Sequence, residues 1–163
     1  MDRVQIATLA HAYERIPYHL VLTAMVKRYF WGEIAAPDVV FRNLRAEHPA
    51  CVYATCDPVT DQTGWEIALD SYGLAEWLGP AGIPITAVLA HELVHIFRRE
   101  VEGLRGKHGR GFDSLCEIIA SNGTPVTGSA SYHHPALWGA PRCEWRMALA
   151  IERHTPMAIE KAA

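Results

Sequence analysis

Three features that would narrow the function of this 163-residue chain are missing from its sequence. No unbroken apolar run approaches the ~20 residues that cross a membrane, and charged residues among the first twenty positions exclude the apolar core of a secretion signal. The formal net charge is −3, so the chain as a whole is not the basic protein that nucleic-acid or membrane-surface binding favours. We therefore expect a cytoplasmic protein that does not bind membranes.

Close cysteine pairs are also missing. The four cysteines form no CxxC pair, which excludes a zinc ribbon or a thioredoxin-like redox motif. We interpret them as reduced, mostly buried thiols, with a metal role as the alternative. No repeat, low-complexity tract or flexible linker divides the chain. We expect a single domain spanning 1–163, with its core at about 18–122 and a C-terminal extension at 123–163.

Hydrophobic periodicity changes along the chain. Residues 1–31 have helical spacing that is interrupted near Pro17. Three runs rich in β-branched and aromatic residues follow, DVVFRNL, ACVYATC and GWEIALD. Further helices are predicted at 74–78, from 84 to about 102, from about 109 to 120 and from 142 to 154. This order predicts an α+β fold with a small antiparallel sheet of about three strands, packed against the 84–102 helix and flanked by other helices.

The segment from 91 to 95 reads HELVH. His91 and His95 are four residues apart, so on a helix they lie on nearly one face and can share a metal ion. Glu92 lies about 100° round the helix, where it can hold and deprotonate a water molecule activated by that metal. The other side of the helix carries an apolar arc that can pack into a core: Ile85, Leu89, Leu93 and Ile96. The alternative is an ordinary pair of surface or core histidines.

His108 is the candidate third ligand. Catalytic zinc usually takes three protein ligands and keeps its fourth position open. Two glycines, at 103 and 106, can reverse the chain after the helix and return His108 to the metal. We therefore predict one Zn²⁺ per chain. If His108 is only a solvated loop histidine, the next ligand candidates are Glu117, His133 and His134.

HELVH at 91–95 and HGRGF at 108–112, with twelve residues between them, resemble the SprT-like family of metallopeptidases, which includes Spartan-type proteases that digest proteins crosslinked to DNA. FRNLRAEHPACVYATC and GWEIALD resemble the strand pair before that family's active-site helix, so the likeness covers about residues 40–122. It implies a zincin-like domain in which His91, His95 and His108 bind zinc and Glu92 is the general base. The C-terminal zinc ribbon of many members is lacking, because Cys143 is the only later cysteine.

These residues predict a zinc-dependent endopeptidase. Water activated by the metal attacks a peptide bond, while Glu92 takes the proton and passes it to the leaving amine. The substrate is a protein or peptide, and the resemblance extends this to DNA-associated or DNA-crosslinked proteins. The strand at 65–70, if it lies at the sheet edge, could pair with an extended substrate. Candidates for oxyanion or substrate contacts, with simple packing or solvation as the alternative, are Tyr132, His133 and His134.

A basic segment lies beside the proposed metal site. Five cations within thirteen residues are candidate contacts for a polyanion such as DNA: Arg98, Arg99, Arg105, Lys107 and Arg110. No aromatic residue within the segment offers a surface for stacking bases, and a solvated helix end and loop is the alternative. Two rival functions stay open. One is a non-catalytic zinc-binding module for protein or DNA interaction, and the other is a zinc amidase acting on another substrate.

Overall fold

The computed structural model describes residues 1–44, 50–56, 63–103, 108–124 and 126. This part of the chain is an α+β fold, as the sequence predicts. In chain order, its elements are α1 (Arg3–Glu14), α2 (Tyr18–Tyr29), β1 (Asp38–Phe41), β2 (Ala50–Cys56), β3 (Thr63–Leu69), α3 (Ser71–Ala81), α4 (Ile85–Glu100) and α5 (Arg110–Ser121). The helix predicted at 142–154 lies outside the described residues.

The three strands form one mixed sheet in the order β1-β3-β2. β2 and β3 pair antiparallel, from Ala50 opposite Leu69 to Cys56 opposite Thr63. β1 pairs parallel with β3, from Asp38 beside Glu66 to Phe41 beside Leu69. The prediction of a wholly antiparallel sheet was therefore wrong for β1, while the β2–β3 pairing is antiparallel.

The strand order explains this difference. Strands that follow each other in sequence pair or neighbour in about two-thirds of cases, and the predicted meander assumed that preference throughout. Here the eight residues from 42 to 49 give the chain enough length for β3 to insert between β1 and β2. β3 is consequently the central strand. It is not an edge strand, so the condition for its pairing with an extended substrate is not met.

The N-terminal helices follow from local sequence signals. Asp2 caps α1 through its side chain, which accepts from the Val4 and Gln5 backbone N–H groups at 2.9 Å and 2.8 Å. Pro17 separates α1 from α2, as its missing N–H and fixed backbone angle predict. The Tyr29 hydroxyl at the end of α2 lies 2.6 Å from Thr124 Oγ1, beyond the end of α5. This buried hydrogen bond links the end of α2 to the segment that follows α5.

α3 leads directly into α4. Asp70 caps α3 by accepting from the Gly73 N–H at 3.0 Å, so the helix begins earlier than the predicted 74–78 segment. Gly82 ends it at φ +65°, a left-handed conformation that glycine adopts without steric cost. The Ile83 N–H then donates to the Leu78 carbonyl at 3.1 Å, which closes the helix end. The two helix axes bend by 119° at this junction.

α4 is the central helix of the domain. Eleven of its sixteen residues are buried, including the predicted apolar arc of Ile85, Leu89, Leu93 and Ile96. A helix that is buried nearly all round is surrounded by other elements, and the sheet, α2 and α5 all pack against it. Side chains on α4 are therefore held in a rigid part of the fold.

Among the described residues, no single helix combines the length and apolar character needed to cross a membrane. α3 and α4 meet that test of length and composition only when taken as one bent pair.

Candidate metal centre

α4 brings the two histidines of HELVH together. His91 and His95 are one turn apart, and their ring centroids are separated by 5.0 Å. His91 is 1% exposed, whereas His95 is half-buried, so the pair stands at the boundary between the core and the surface. This is the helical arrangement that the spacing predicts.

His108 joins them from the segment just before α5. Its Nε2 lies 3.1 Å from His91 Nε2 and 3.2 Å from His95 Nε2. The candidate ligand atoms of all three residues lie within 4.8 Å of one another. The chain reversal expected between the two helices therefore places His108 at the histidine pair.

These separations fit a zinc ion. Two ligand nitrogens about 2.0–2.1 Å from a tetrahedral zinc lie about 3.3 Å from each other, close to the distances between His108 and its two neighbours. A neutral imidazole has one nitrogen lone pair, so three converging Nε2 atoms cannot all satisfy one another by hydrogen bonds. A shared cation satisfies all three at once. Three neutral imidazoles are also a donor set that zinc prefers.

Burial favours the neutral form of His108. It lowers the pKa of His108 below the ordinary value of 6.5, and the nearby Asp113 carboxylate raises it by a smaller amount. A neutral imidazole keeps the lone pair that a metal needs, whereas a protonated one has none to offer. The environment of His108 therefore suits a ligand.

Phe112 forms an aromatic wall behind the three histidines. Its ring centroid lies 4.8 Å from that of His91, 4.5 Å from that of His95 and 4.7 Å from that of His108. The side chain is 1% exposed, so it occupies a fixed place in the core. A single buried ring therefore restrains the orientation of all three imidazoles.

Glu92 is buried beside this cluster, at 4% exposure. Nothing in the described parts of the chain donates a hydrogen bond to its carboxylate. Burial raises the pKa of Glu92 from 4.5 to about 8, and the positive charge of Arg99 acts in the opposite direction. A buried carboxyl group without a hydrogen-bond donor is costly to keep charged, and a nearby metal cation would offset that cost.

The predicted cationic residues differ in their surroundings. Arg98 donates from Nε to Glu102 Oε2 at 2.8 Å, so its charge is paired within α4 and the residues just after it. The Arg99 guanidinium lies over the Trp65 ring, 5.5 Å from the ring centroid. Arg110 is exposed at the start of α5. The remaining two cations lie outside the described residues: Arg105 and Lys107.

The other candidate contacts are not at the described site. Glu117, the alternative third ligand, lies on α5 and does not belong to the cluster of candidate ligands. The proposed oxyanion and substrate contacts lie outside the described residues: Tyr132, His133 and His134. The described cluster therefore consists of the three predicted histidines.

Two site residues were missed in the sequence. Phe112 stands out only as part of the apolar face of α5, although its place within HGRGF, four residues after His108, was a usable signal. Trp65 lies on β3, far from α4 in sequence, and its indole N–H donates to Glu100 Oε1. No local pattern connects positions 65 and 99, so the aromatic partner of Arg99 could not be inferred.

No protein-family model, curated protein or solved structure matches this chain.

Proposed function

We propose that this chain is a zinc-dependent endopeptidase. The observation that carries the proposal is the convergence of His91, His95 and His108 on one point, with the buried carboxyl group of Glu92 on the same helix. Three histidine ligands leave one position of a tetrahedral zinc ion open, which distinguishes a catalytic site from a closed structural one. The alternative ligands Glu117, His133 and His134 are not needed to complete this set of three.

Zinc bound by these histidines would supply Lewis acidity, which polarises a carbonyl group and lowers the pKa of a water molecule to about 7. Glu92 accepts the proton from the water that attacks the peptide carbonyl and then delivers it to the leaving amine. Its burial keeps bulk water away from the carboxyl group, so the proton passes between the reacting groups. Phe112 holds the three imidazoles in place through this sequence.

We also propose that the fold is a zincin-like domain of the SprT-like kind. Support comes from the HELVH segment on a buried central helix, the small sheet packed against that helix, and the third histidine within HGRGF at the start of the next helix.

The proposed substrate is a protein or peptide, and DNA-associated proteins are the narrower possibility that the family resemblance implies. Of the cations that could contact DNA, Arg98 is already paired with Glu102. Paired charges contribute less to phosphate binding than free ones, because the pair must be broken or shared. The pairing of Arg98 therefore weakens the case for DNA contact at this one cation, and the proposal stays with a protein or peptide substrate.

Proteolysis of casein by the zinc-loaded chain tests the proposal. We expect the parent protein to cleave casein and Glu92→Gln to lose about 10² to 10⁴ in rate, because glutamine keeps the shape but cannot carry the proton. Zinc content and thermal unfolding of both proteins provide the control for metal binding and folding. Equal cleavage by both purified proteins would leave the zinc as a structural ion.

The same assay tests whether DNA stimulates proteolysis. Casein cleavage is measured with and without single-stranded DNA, at low and at high salt. Stimulation by DNA that disappears at high salt would support the DNA-associated substrate, since phosphate contacts depend strongly on salt. Cleavage that DNA does not change would support a general peptidase.

A further inference from the structure

A stacked arginine lies at one end of the histidine face of α4. His91, His95 and Arg99 recur every four residues, so they form one stripe along the helix. Arg99 lies one turn beyond His95, which is about 6 Å along the helix axis. A ligand that reaches from the histidine cluster along this stripe therefore meets the Arg99 side chain next.

Trp65 restrains this arginine. The guanidinium of Arg99 lies 5.5 Å from the centroid of the Trp65 ring, within the range of a cation–π contact. Glu100 accepts a hydrogen bond from the Trp65 indole N–H, so the ring is itself held from the neighbouring position of α4. A guanidinium that rests on an aromatic face keeps its N–H edge available for a planar anion.

Arg99 forms no ion pair with a carboxylate in the described parts of the chain, although its positive charge acts on the buried Glu92 and other acidic residues lie near it in sequence. The neighbouring Glu102 pairs with Arg98, and Glu100 bonds to Trp65. Arg99 is exposed, so a carboxylate from a ligand can reach it. Glu100 and Glu102 are thus engaged elsewhere, while the N–H donors of Arg99 stay accessible to a ligand.

From this arrangement we propose that Arg99, held on Trp65, is a substrate-binding residue that selects a carboxylate in the peptide. The proposal rests on the proposed endopeptidase function and names its substrate preference. An extended peptide advances about 3.3 Å per residue, so an offset of about 6 Å places the carboxylate about two residues from the cleaved bond. This carboxylate can be that of an acidic side chain or the C-terminal carboxylate of a peptide.

Peptide binding tests the proposal independently of catalysis. The protein is the zinc-loaded Glu92→Gln variant, and the probes are capped, fluorescently labelled peptides of Ala, Ser and Gly with one Glu placed at each position in turn. Each has a Gln counterpart. We expect the best Glu peptide to bind about tenfold more tightly than its Gln counterpart, because the stacked guanidinium forms charge-assisted hydrogen bonds. A free and an amidated C-terminus distinguish the terminal carboxylate from the acidic side chain.

Substitution of Arg99 provides the decisive comparison. Adding Arg99→Gln should bring the Glu and Gln peptides within about twofold of each other, and Arg99→Lys should restore part of the preference. Arg15→Gln is the matched control, because it removes one exposed positive charge at the end of α1. Thermal unfolding checks that each variant is folded. A Glu preference that survives Arg99→Gln overturns the proposal.

The two proposals fail in different ways. Casein cleavage without any Arg99-dependent Glu preference, either in peptide affinity or in kcat/KM, would overturn the substrate preference and leave the peptidase intact. Arg99-dependent binding of Glu peptides without any proteolysis would support carboxylate recognition and contradict the peptidase.

Binding of single-stranded DNA tests the alternative that Arg99 contacts phosphate. If Arg99→Gln weakens binding of DNA but not of Glu peptides, Arg99 is a phosphate contact and the proposal is wrong.

Discussion

His108 Nε2 lies 3.1 Å from His91 Nε2, although seventeen positions separate the two residues in the sequence. His91 is fixed within the central helix, whereas His108 comes from the short segment that precedes α5. The histidine cluster therefore depends on how α4 and α5 pack, and His108 is the member most sensitive to changes in that packing.

Removing His108 should weaken zinc binding without unfolding the domain. We expect the parent chain to bind about one zinc and His108→Ala to lose about a hundredfold or more in affinity, because only two ligands are left. Competition with a zinc-chelating dye measures the affinity. His19→Ala, an exposed histidine on α2, is the matched control and should bind zinc as the parent does. Full affinity in His108→Ala would contradict its assignment as a ligand.

Phe112→Leu tests the aromatic wall. Leucine nearly fills the space, so the metal-free protein should lose about 1–2 kcal/mol of stability. The three imidazoles would gain freedom, and zinc affinity should fall by about tenfold, at the lower end of what residues surrounding metal ligands contribute. Ile119→Val is the control, because it perturbs the same buried face of α5. An equal change in zinc affinity for both variants would mean that Phe112 acts only through stability.

Glu92 predicts a pH dependence of the metal-free protein. Its folded-state pKa is raised from 4.5 to about 8, so the native chain binds more protons than the unfolded chain between these values. The stability it contributes is fully present below pH 4.5 and is lost as the pH rises through about 8. The parent should therefore lose stability relative to Glu92→Gln as the pH rises.

Thermal unfolding in a chelator, from about pH 5 to about pH 9, measures this difference. A free-energy change of about 1 kcal/mol shifts Tm by about 2–4 °C in a domain of this size, so a shift of several degrees is expected. Comparing the parent with Glu92→Gln also removes the contribution of His108 to the pH dependence. Because the pKa of His108 is lowered, its protonation destabilises both proteins equally as the pH falls. If the Tm values of the parent and of Glu92→Gln change in parallel across the whole pH range, the raised pKa of Glu92 is contradicted.

The helical part of the site could be predicted because its geometry is local. A spacing of four residues places His91 and His95 on one face whatever surrounds the helix. The return of His108 needed only a short reversal between two predicted helices. Glu92 follows from its position next to His91, although its burial depends on the elements packed around α4.

The sheet and the aromatic contacts could not be predicted in the same way. The position of β3 between β1 and β2 depends on pairings between distant segments, and each strand alone is compatible with more than one order. Trp65 and Arg99 meet because β3 lies near the end of α4, and neither residue has a local feature that indicates the other. Phe112 has the periodicity of an ordinary core residue, which hides its contact with three histidines.

The most direct measurement of the central claim is anomalous X-ray diffraction at the zinc edge from crystals of the zinc-loaded chain. We predict one peak per chain, about 2.0–2.1 Å from the Nε2 atoms of His91, His95 and His108, with the Glu92 carboxylate beyond bonding distance of the metal. A peak that lacks any one of these histidines, a peak at another site, or no peak after zinc loading would contradict the proposed metal centre.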